Sequence, residues 1–203
     1  MSSPLKEQQL ANKTVNIDFE HALKEHQQAI ESVMAQADSI RTVTERIVQA
    51  IESGGKVIWL GNGGSAADAQ HMAAELMVRY VKNRRPIASI ALTTDSSILT
   101  AHSNDYEFAS VFARQIEGLA GAQDVVIAMS TSGNSENVVQ ALQAAKEKGC
   151  FCVAMTGRSR NRAAELADVC FQVDTLETAR AQEAHSVISH LICEGLDSVY
   201  ATE

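Results

Sequence analysis

Apolar positions fall into two regimes along the chain. From Asp18 to Ser53, Ala22, Ile30, Val33, Met34, Ile40, Val43, Ile47, Val48 and Ile51 recur at helical spacing, which predicts one or two amphipathic helices ended by the Ser-Gly-Gly at 53–55. An arm this long exceeds what one α/β layer needs, and its stripe suits a neighbouring subunit as well as the chain's own sheet. Beyond Gly55 the pattern changes to five short, near-continuous apolar runs: KVIWL, IASIAL, DVVIAMS, CFCVAMT and DVCFQV. Runs of this kind mark parallel strands covered on both faces by helices, and the segments between them carry helical signals. The predicted fold is therefore α/β: a five-stranded, parallel, doubly wound open sheet flanked by helices, preceded by a helical arm. Its functional loops belong at the carboxyl ends of the strands. Trp59, inside the first run, is predicted to be core.

Composition narrows the function. The chain has 203 residues, enough for one domain with a well-filled core, and a formal net charge of −8. That charge argues against a nucleic-acid surface, which needs a basic stripe. No apolar run reaches the length of a membrane span, and the first twenty residues lack the order of a signal peptide, so the expected setting is the cytoplasm with no membrane partner. Cys150, Cys152, Cys170 and Cys193 have no metal-knuckle spacing and are expected as free, buried thiols, with Cys150 and Cys152 on one strand face.

Two strand ends carry loops of small hydroxyl residues and glycine. Gly61-Asn62-Gly63-Gly64-Ser65 follows the first run, and Ser130-Thr131-Ser132-Gly133-Asn134-Ser135 follows the third. A helix is expected directly after each, so free N–H groups and the positive helix end would meet an anion there. Neither loop matches the phosphate loop of nucleotidases or the dinucleotide fingerprint, which disfavours both classes. Either loop alone serves equally as a tight turn capped by Ser65 or Ser135. Two of them on one sheet edge favour a bound phosphate.

The helix entered at Ser65 places His71 and Glu75 at i and i+4 on one face, among apolar neighbours. In the last helical segment Gln182 and His190 stand eight residues apart and can share a broad face, with His185 as a rival. Imidazole, carboxylate and carboxamide groups could jointly hold zinc, although exposed polar pairs are common on helices. Arg79, Lys82, Arg84 and Arg85 form a basic run that suits either anion capture or a solvated helix end. Asn104-Asp105 suits either sugar hydroxyls or a turn.

Taken together, GNGGSAADAQHMAAELMVRY, the Ser-Asn-Asp at 103–105, STSGNS, and RAQEAH followed by SVISH resemble the sugar isomerase (SIS) domain, and specifically the phosphoheptose isomerase family. The resemblance spans nearly the whole chain and implies a single SIS domain over residues 1–203, with residues 1–54 as an arm used in oligomerisation. It implies an aldose–ketose isomerase acting on sedoheptulose 7-phosphate, early in ADP-heptose supply for lipopolysaccharide. It implies substrate contacts from Asn62, Gly63, Gly64, Glu75, Asn104, Asp105, Ser130, Thr131, Ser132, Ser135 and Gln182. A zinc ion is implied on His71, Glu75, Gln182 and His190, with Glu75 and His190 as the proton-transferring pair, in a homotetramer whose sites lie between subunits. Two other readings of such a domain are a non-catalytic module similar to the factor that binds the bacterial replication initiator, and an isomerase of another phosphosugar.

Overall fold

The structure, a computed structural model, describes residues 15–202, so the first fourteen residues of the arm lie outside it. The arm pattern is two helices, α1 (Phe19–Met34) and α2 (Ala37–Glu52), separated at Ala35 and Gln36. Asp18 starts α1 by accepting a hydrogen bond from the His21 N–H at 2.9 Å, satisfying one of the donors that a helix start leaves free. The strands and helices that follow are β1 (Val57–Gly61), α3 (Gly64–Met77), β2 (Ser89–Ala91), α4 (Ser96–Asp105), α5 (Val111–Leu119), β3 (Val125–Met129), α6 (Glu136–Glu147), β4 (Phe151–Thr156), α7 (Arg162–Leu166), β5 (Val169–Gln172) and α8 (Thr178–Tyr200). All five strands are parallel, in the order β2-β1-β3-β4-β5.

The continuous apolar strands are explained by what lies on each side. Val57, Trp59, Val125, Ile127, Met129, Val153, Met155 and Phe171 pack with α1, α2, α3 and α8 on one face. Ile58, Leu60, Val126, Ala128, Cys152 and Ala154 pack with α5, α6 and α7 on the other. Successive residues of a strand point to opposite faces, so a sheet with two cores needs apolar residues at every position. Trp59 is fully buried and its Nε1 donates to Ser89 Oγ at 3.0 Å, which satisfies the one polar atom of an otherwise apolar ring. Cys150 and Cys152 are both buried in the second core, and all four cysteines are free.

The arm's second helix covers the chain's own sheet. α2 buries Ile40, Val43, Ile47 and Ile51 in the first core, whereas α1 contributes Ala29 and Val33 and leaves Phe19, Leu23 and Met34 exposed. The strand order reverses direction between β1 and β3, and at that switch point the loops leaving neighbouring strands diverge to opposite faces and open a crevice.

Candidate active site

The crevice lies where the sequence places its two loops. A cavity of about 220 Å³ is lined by Asn62, Gly63, Gly64, Ser65, Met129, Ser130, Thr131, Ser135, Thr178 and Gln182. The first turns of α3, α6 and α8 all abut it, at Gly64, Ser135 and Thr178. Three positive helix ends and their free N–H groups therefore surround a space with no lysine or arginine in its wall.

The hydroxyls of the second loop are not spent on capping. Ser135 occupies the N-cap position of α6 yet makes no side-chain capping bond; its Oγ instead lies 3.1 Å from Ser130 Oγ, which is 3.4 Å from Ser132 Oγ. Ser65 is buried inside α3, whose N-cap is Gly63 with no side-chain bond. Gly63 has φ +57 and ψ −120, a conformation that L side chains rarely adopt, so the turn into α3 depends on a glycine. Hydroxyls left over from capping and gathered at helix ends are the arrangement a phosphate requires. Thr131 lines the cavity, while Ser132 turns to an adjoining cavity of about 190 Å³.

Asn62 sits between the loops rather than free in the cavity. Its amide exchanges two hydrogen bonds with Asn137, at 2.8 and 2.9 Å, tying the turn after β1 to the start of α6. One amide proton and one lone pair of Asn62 remain for a ligand.

α3 and α8 run side by side in the same direction, as three contacts in register show. Gln182 lies over Gly64, so close that a Cβ at 64 would stand 2.7 Å from its Nε2. Ser186 Oγ donates to Asp68 at 3.1 Å. His190 meets His71 edge-on, with ring centroids 5.1 Å apart. Farther along, His71 Nε2 is 3.2 Å from Glu75 Oε1, so Glu75, His71 and His190 form one group across the two helices. In the single chain His71 is 48% exposed and Glu75 23%, which leaves the group open to a ligand from outside the core.

Gln182 and this group are at different depths. Eight residues of α8 separate Gln182 from His190, about 12 Å along the axis. Helical side chains lean toward the N-terminus, and Glu75 reaches back in this way to His71. Among the described residues, no three His, Cys, Asp or Glu groups converge as a ready metal cage. His185, the rival imidazole, faces the sheet: it is fully buried, its Nε2 is 3.3 Å from the Thr156 carbonyl oxygen, and burial pushes its pKa down to about 4. Asn104 and Asp105 end α4 as exposed neighbours bonded to each other at 2.8 Å, outside the cavity wall.

Three residues of the site were not singled out by sequence reasoning. Tyr80 stacks on His190 with centroids 5.6 Å apart and planes 25° from parallel. Asn137 holds Asn62. Asn161 packs against Gly133 and caps α7 by accepting from Ala164 N at 2.9 Å. For Asn161 the pattern of Asn followed by a short helical run was a legible cap signal; the partners of Tyr80 and Asn137 are set only by tertiary contacts.

Comparison with known proteins bears on the same residues. A family model described as the SIS domain matches residues 19–157. Over 158 residues the chain is 50% identical to the phosphoheptose isomerase of Aquifex aeolicus, covering 78% of this chain and 83% of that protein. The chain belongs to the phosphoheptose isomerase family. A second member, from Nitratiruptor, is 44% identical over 183 residues, 90% of this chain and 98% of its own. The solved phosphoheptose isomerase of Neisseria gonorrhoeae superposes with a TM-score of 0.81 at 38% identity, covering 96% of this chain and 99% of that one. Membership in the phosphoheptose isomerase family makes this chain an isomerase rather than a non-catalytic interaction module.

Proposed function

We propose that the chain converts sedoheptulose 7-phosphate to D-glycero-D-manno-heptose 7-phosphate through a cis-enediol. The observation that carries this reading is the layout of one helix pair: α3 and α8 frame the hydroxyl-lined cavity with their first turns and bring Glu75 and His190 each against His71 farther along. A phosphate held by Ser130, Thr131, Ser135 and the free N–H groups of the helix starts fixes one end of the substrate. Seven single bonds separate C2 of a heptose from its phosphorus, a reach of about 8 Å at the extension of a polypeptide backbone. That reach spans about two thirds of the roughly 12 Å that separate Gln182 from His190 along α8.

Glu75 then takes a proton from C1 while His190 gives one to the C2 oxygen, forming the enediol. Glu75 returns a proton to C2 as His190 accepts one from the C1 hydroxyl, which leaves the aldose. Positioned acids and bases each contribute about 10²–10⁴-fold, and the remote phosphate supplies binding energy that aligns the reacting carbons.

His71, Glu75 and His190 supply two imidazoles and a carboxylate, a donor set that fits zinc; Gln182 would join it by resemblance. A zinc ion there would supply positive charge to stabilise the enediolate oxygens. The exposed apolar side chains of Val78, Val81, Leu191 and Val199 support a homotetramer, with the site between subunits by resemblance. An acidic chain in which no described helix can cross a membrane fits a cytoplasmic enzyme early in ADP-heptose supply. Proton NMR of the purified protein with sedoheptulose 7-phosphate, an arabinose 5-phosphate isomer pair and a hexulose 6-phosphate tests the reading. Conversion of the heptulose fastest supports it; faster conversion of a shorter sugar replaces it.

A further inference from the structure

We propose that Arg84 and Asp197 form a clamp that positions Glu75 against His190, so that Arg84 serves the reaction although it touches no substrate. The inference rests on Glu75 being the base. Arg84 belongs to the basic run after α3, and its side chain has no exposure to solvent. Its Nη2 donates to the Glu75 carbonyl oxygen at 2.7 Å and its Nη1 to the Leu76 carbonyl oxygen at 2.9 Å. Its Nε donates to Asp197 Oδ1 at 2.9 Å. Asp197 lies on α8, two turns beyond His190, and its Oδ2 accepts from the N–H groups of Val81 and Lys82 at 2.9 and 2.8 Å. The loop between is tied a second time to the end of α8, where Thr202 N donates to the Asn83 carbonyl oxygen at 3.0 Å.

The location gives the clamp its meaning. Glu75 stands in the last turn of α3, where carbonyls lack intrahelical partners and helices fray. The guanidinium closes two of those carbonyls and carries the turn to α8, the helix that bears His190. One side chain thereby fixes the register of base against acid. Stability alone is a poor reason for this pair, because a buried ion pair is often no better than apolar residues of the same volume. Lysine cannot replace the fork, since its ammonium lacks the fixed, planar set of donors that reaches four acceptors at once, the Glu75, Leu76 and Arg85 carbonyl oxygens and Asp197 Oδ1.

The clamp lies beyond Glu75 from the phosphate cavity, which separates its effect on turnover from any effect on binding. Misplacement of a catalytic group by 1 Å costs about 100-fold. In R84K and D197N the kcat per folded molecule, with the folded fraction taken from circular dichroism, should fall about 10- to 100-fold while KM stays within about two-fold. D124N is the control for instability alone: buried Asp124 binds Lys56 Nζ at 2.7 Å where β1 and β3 begin, without contact to Arg84, Asp197 or Glu75, and its loss should leave kcat per folded molecule unchanged. A wild-type kcat per folded molecule in both R84K and D197N overturns the clamp, as does failure of both to fold at any temperature, which would make the pair structural. E75Q separates the two claims. Turnover retained in E75Q removes Glu75 as base; turnover lost there but kept in R84K and D197N removes the clamp alone.

Discussion

Gly133 offers a test of how the phosphate loop is held. Its φ is +64, and a Cβ there would stand 2.2 Å from Asn161 Cγ, 2.3 Å from Oδ1 and 2.5 Å from Cβ. The left-handed backbone alone costs a non-glycine residue about 1–2 kcal/mol. Asn161 cannot swing clear, because the clash reaches its Cβ. It must move and give up hydrogen bonds to Ala164 N at 2.9 Å, Thr156 Oγ1 at 3.2 Å and the Ser159 carbonyl oxygen at 2.8 Å, worth about 1 kcal/mol each. Gly133→Ala should therefore destabilise by about 3–5 kcal/mol, and the shifted hydroxyls should raise KM for the phosphosugar more than they lower kcat. Asn161→Gly removes the obstacle, Cβ included, along with the bonds and should cost about 2–3 kcal/mol. In the double variant the clash is gone, so its cost should match that of Gly133→Ala alone, a coupling of about 2 kcal/mol in a double-mutant cycle. Equilibrium urea unfolding of the four proteins measures it. Additive losses within about 0.5 kcal/mol would refute the contact as the cause.

Two further outcomes follow from buried titratable groups. Burial holds His185 at about 4 against a weak opposing pull from the Thr156 carbonyl, whereas in the unfolded chain it titrates near 6.5. The unfolded state thus takes up a proton that the native state refuses, and stability is lost as pH falls from about 6.5 to about 4, by up to about 1.4 kcal/mol per unit. Urea midpoints across that range should slope downward toward acid, and His185→Gln should flatten the slope; an unchanged slope contradicts the assignment. Burial, reinforced by the charges of Asp168 and Glu75 respectively, pushes the thiols of Cys152 and Cys193 up to about 12, so at pH 8 both are thiols. Mass spectrometry after brief iodoacetamide treatment should find both unmodified in native protein and modified after denaturation. Rapid native labelling of Cys193 would show that the core behind Glu75 opens.

The sheet was legible because its signal is redundant. Each of the five apolar runs became a strand, since a doubly covered sheet forces apolar residues at every position, although IASIAL yielded only Ser89–Ala91. The arm's helical character followed from period alone, which left one helix or two open; the break at Ala35 and Gln36 makes it two. The stretch TTDSSILTAHSND was harder: its apolar content is low, yet Asp95 starts α4 by accepting from Ile98 N at 3.0 Å, and Asn104 and Asp105 became its exposed end. In the site, the i, i+4 relation of His71 and Glu75 was fixed by helical geometry. That His190 would meet His71 while Gln182 meets Gly64 depended on the parallel alignment of α3 and α8, which no local pattern encodes. The basic run illustrates the same limit. Its charges suggested a solvated end or an anion site, but Arg84 is buried because Asp197, over a hundred positions later, lies beside it.

In the proposed mechanism Glu75 moves the carbon-bound proton of a phosphosugar held at the hydroxyl loop. The most direct test of that role is proton NMR of Glu75→Gln with sedoheptulose 7-phosphate in deuterated water, beside the wild type. The wild type should form the aldose and exchange protons at C1 and C2. The variant should bind the substrate, as broadened ligand resonances would report, and yet show neither conversion nor exchange. Product formation by the variant at the wild-type rate would contradict the claim.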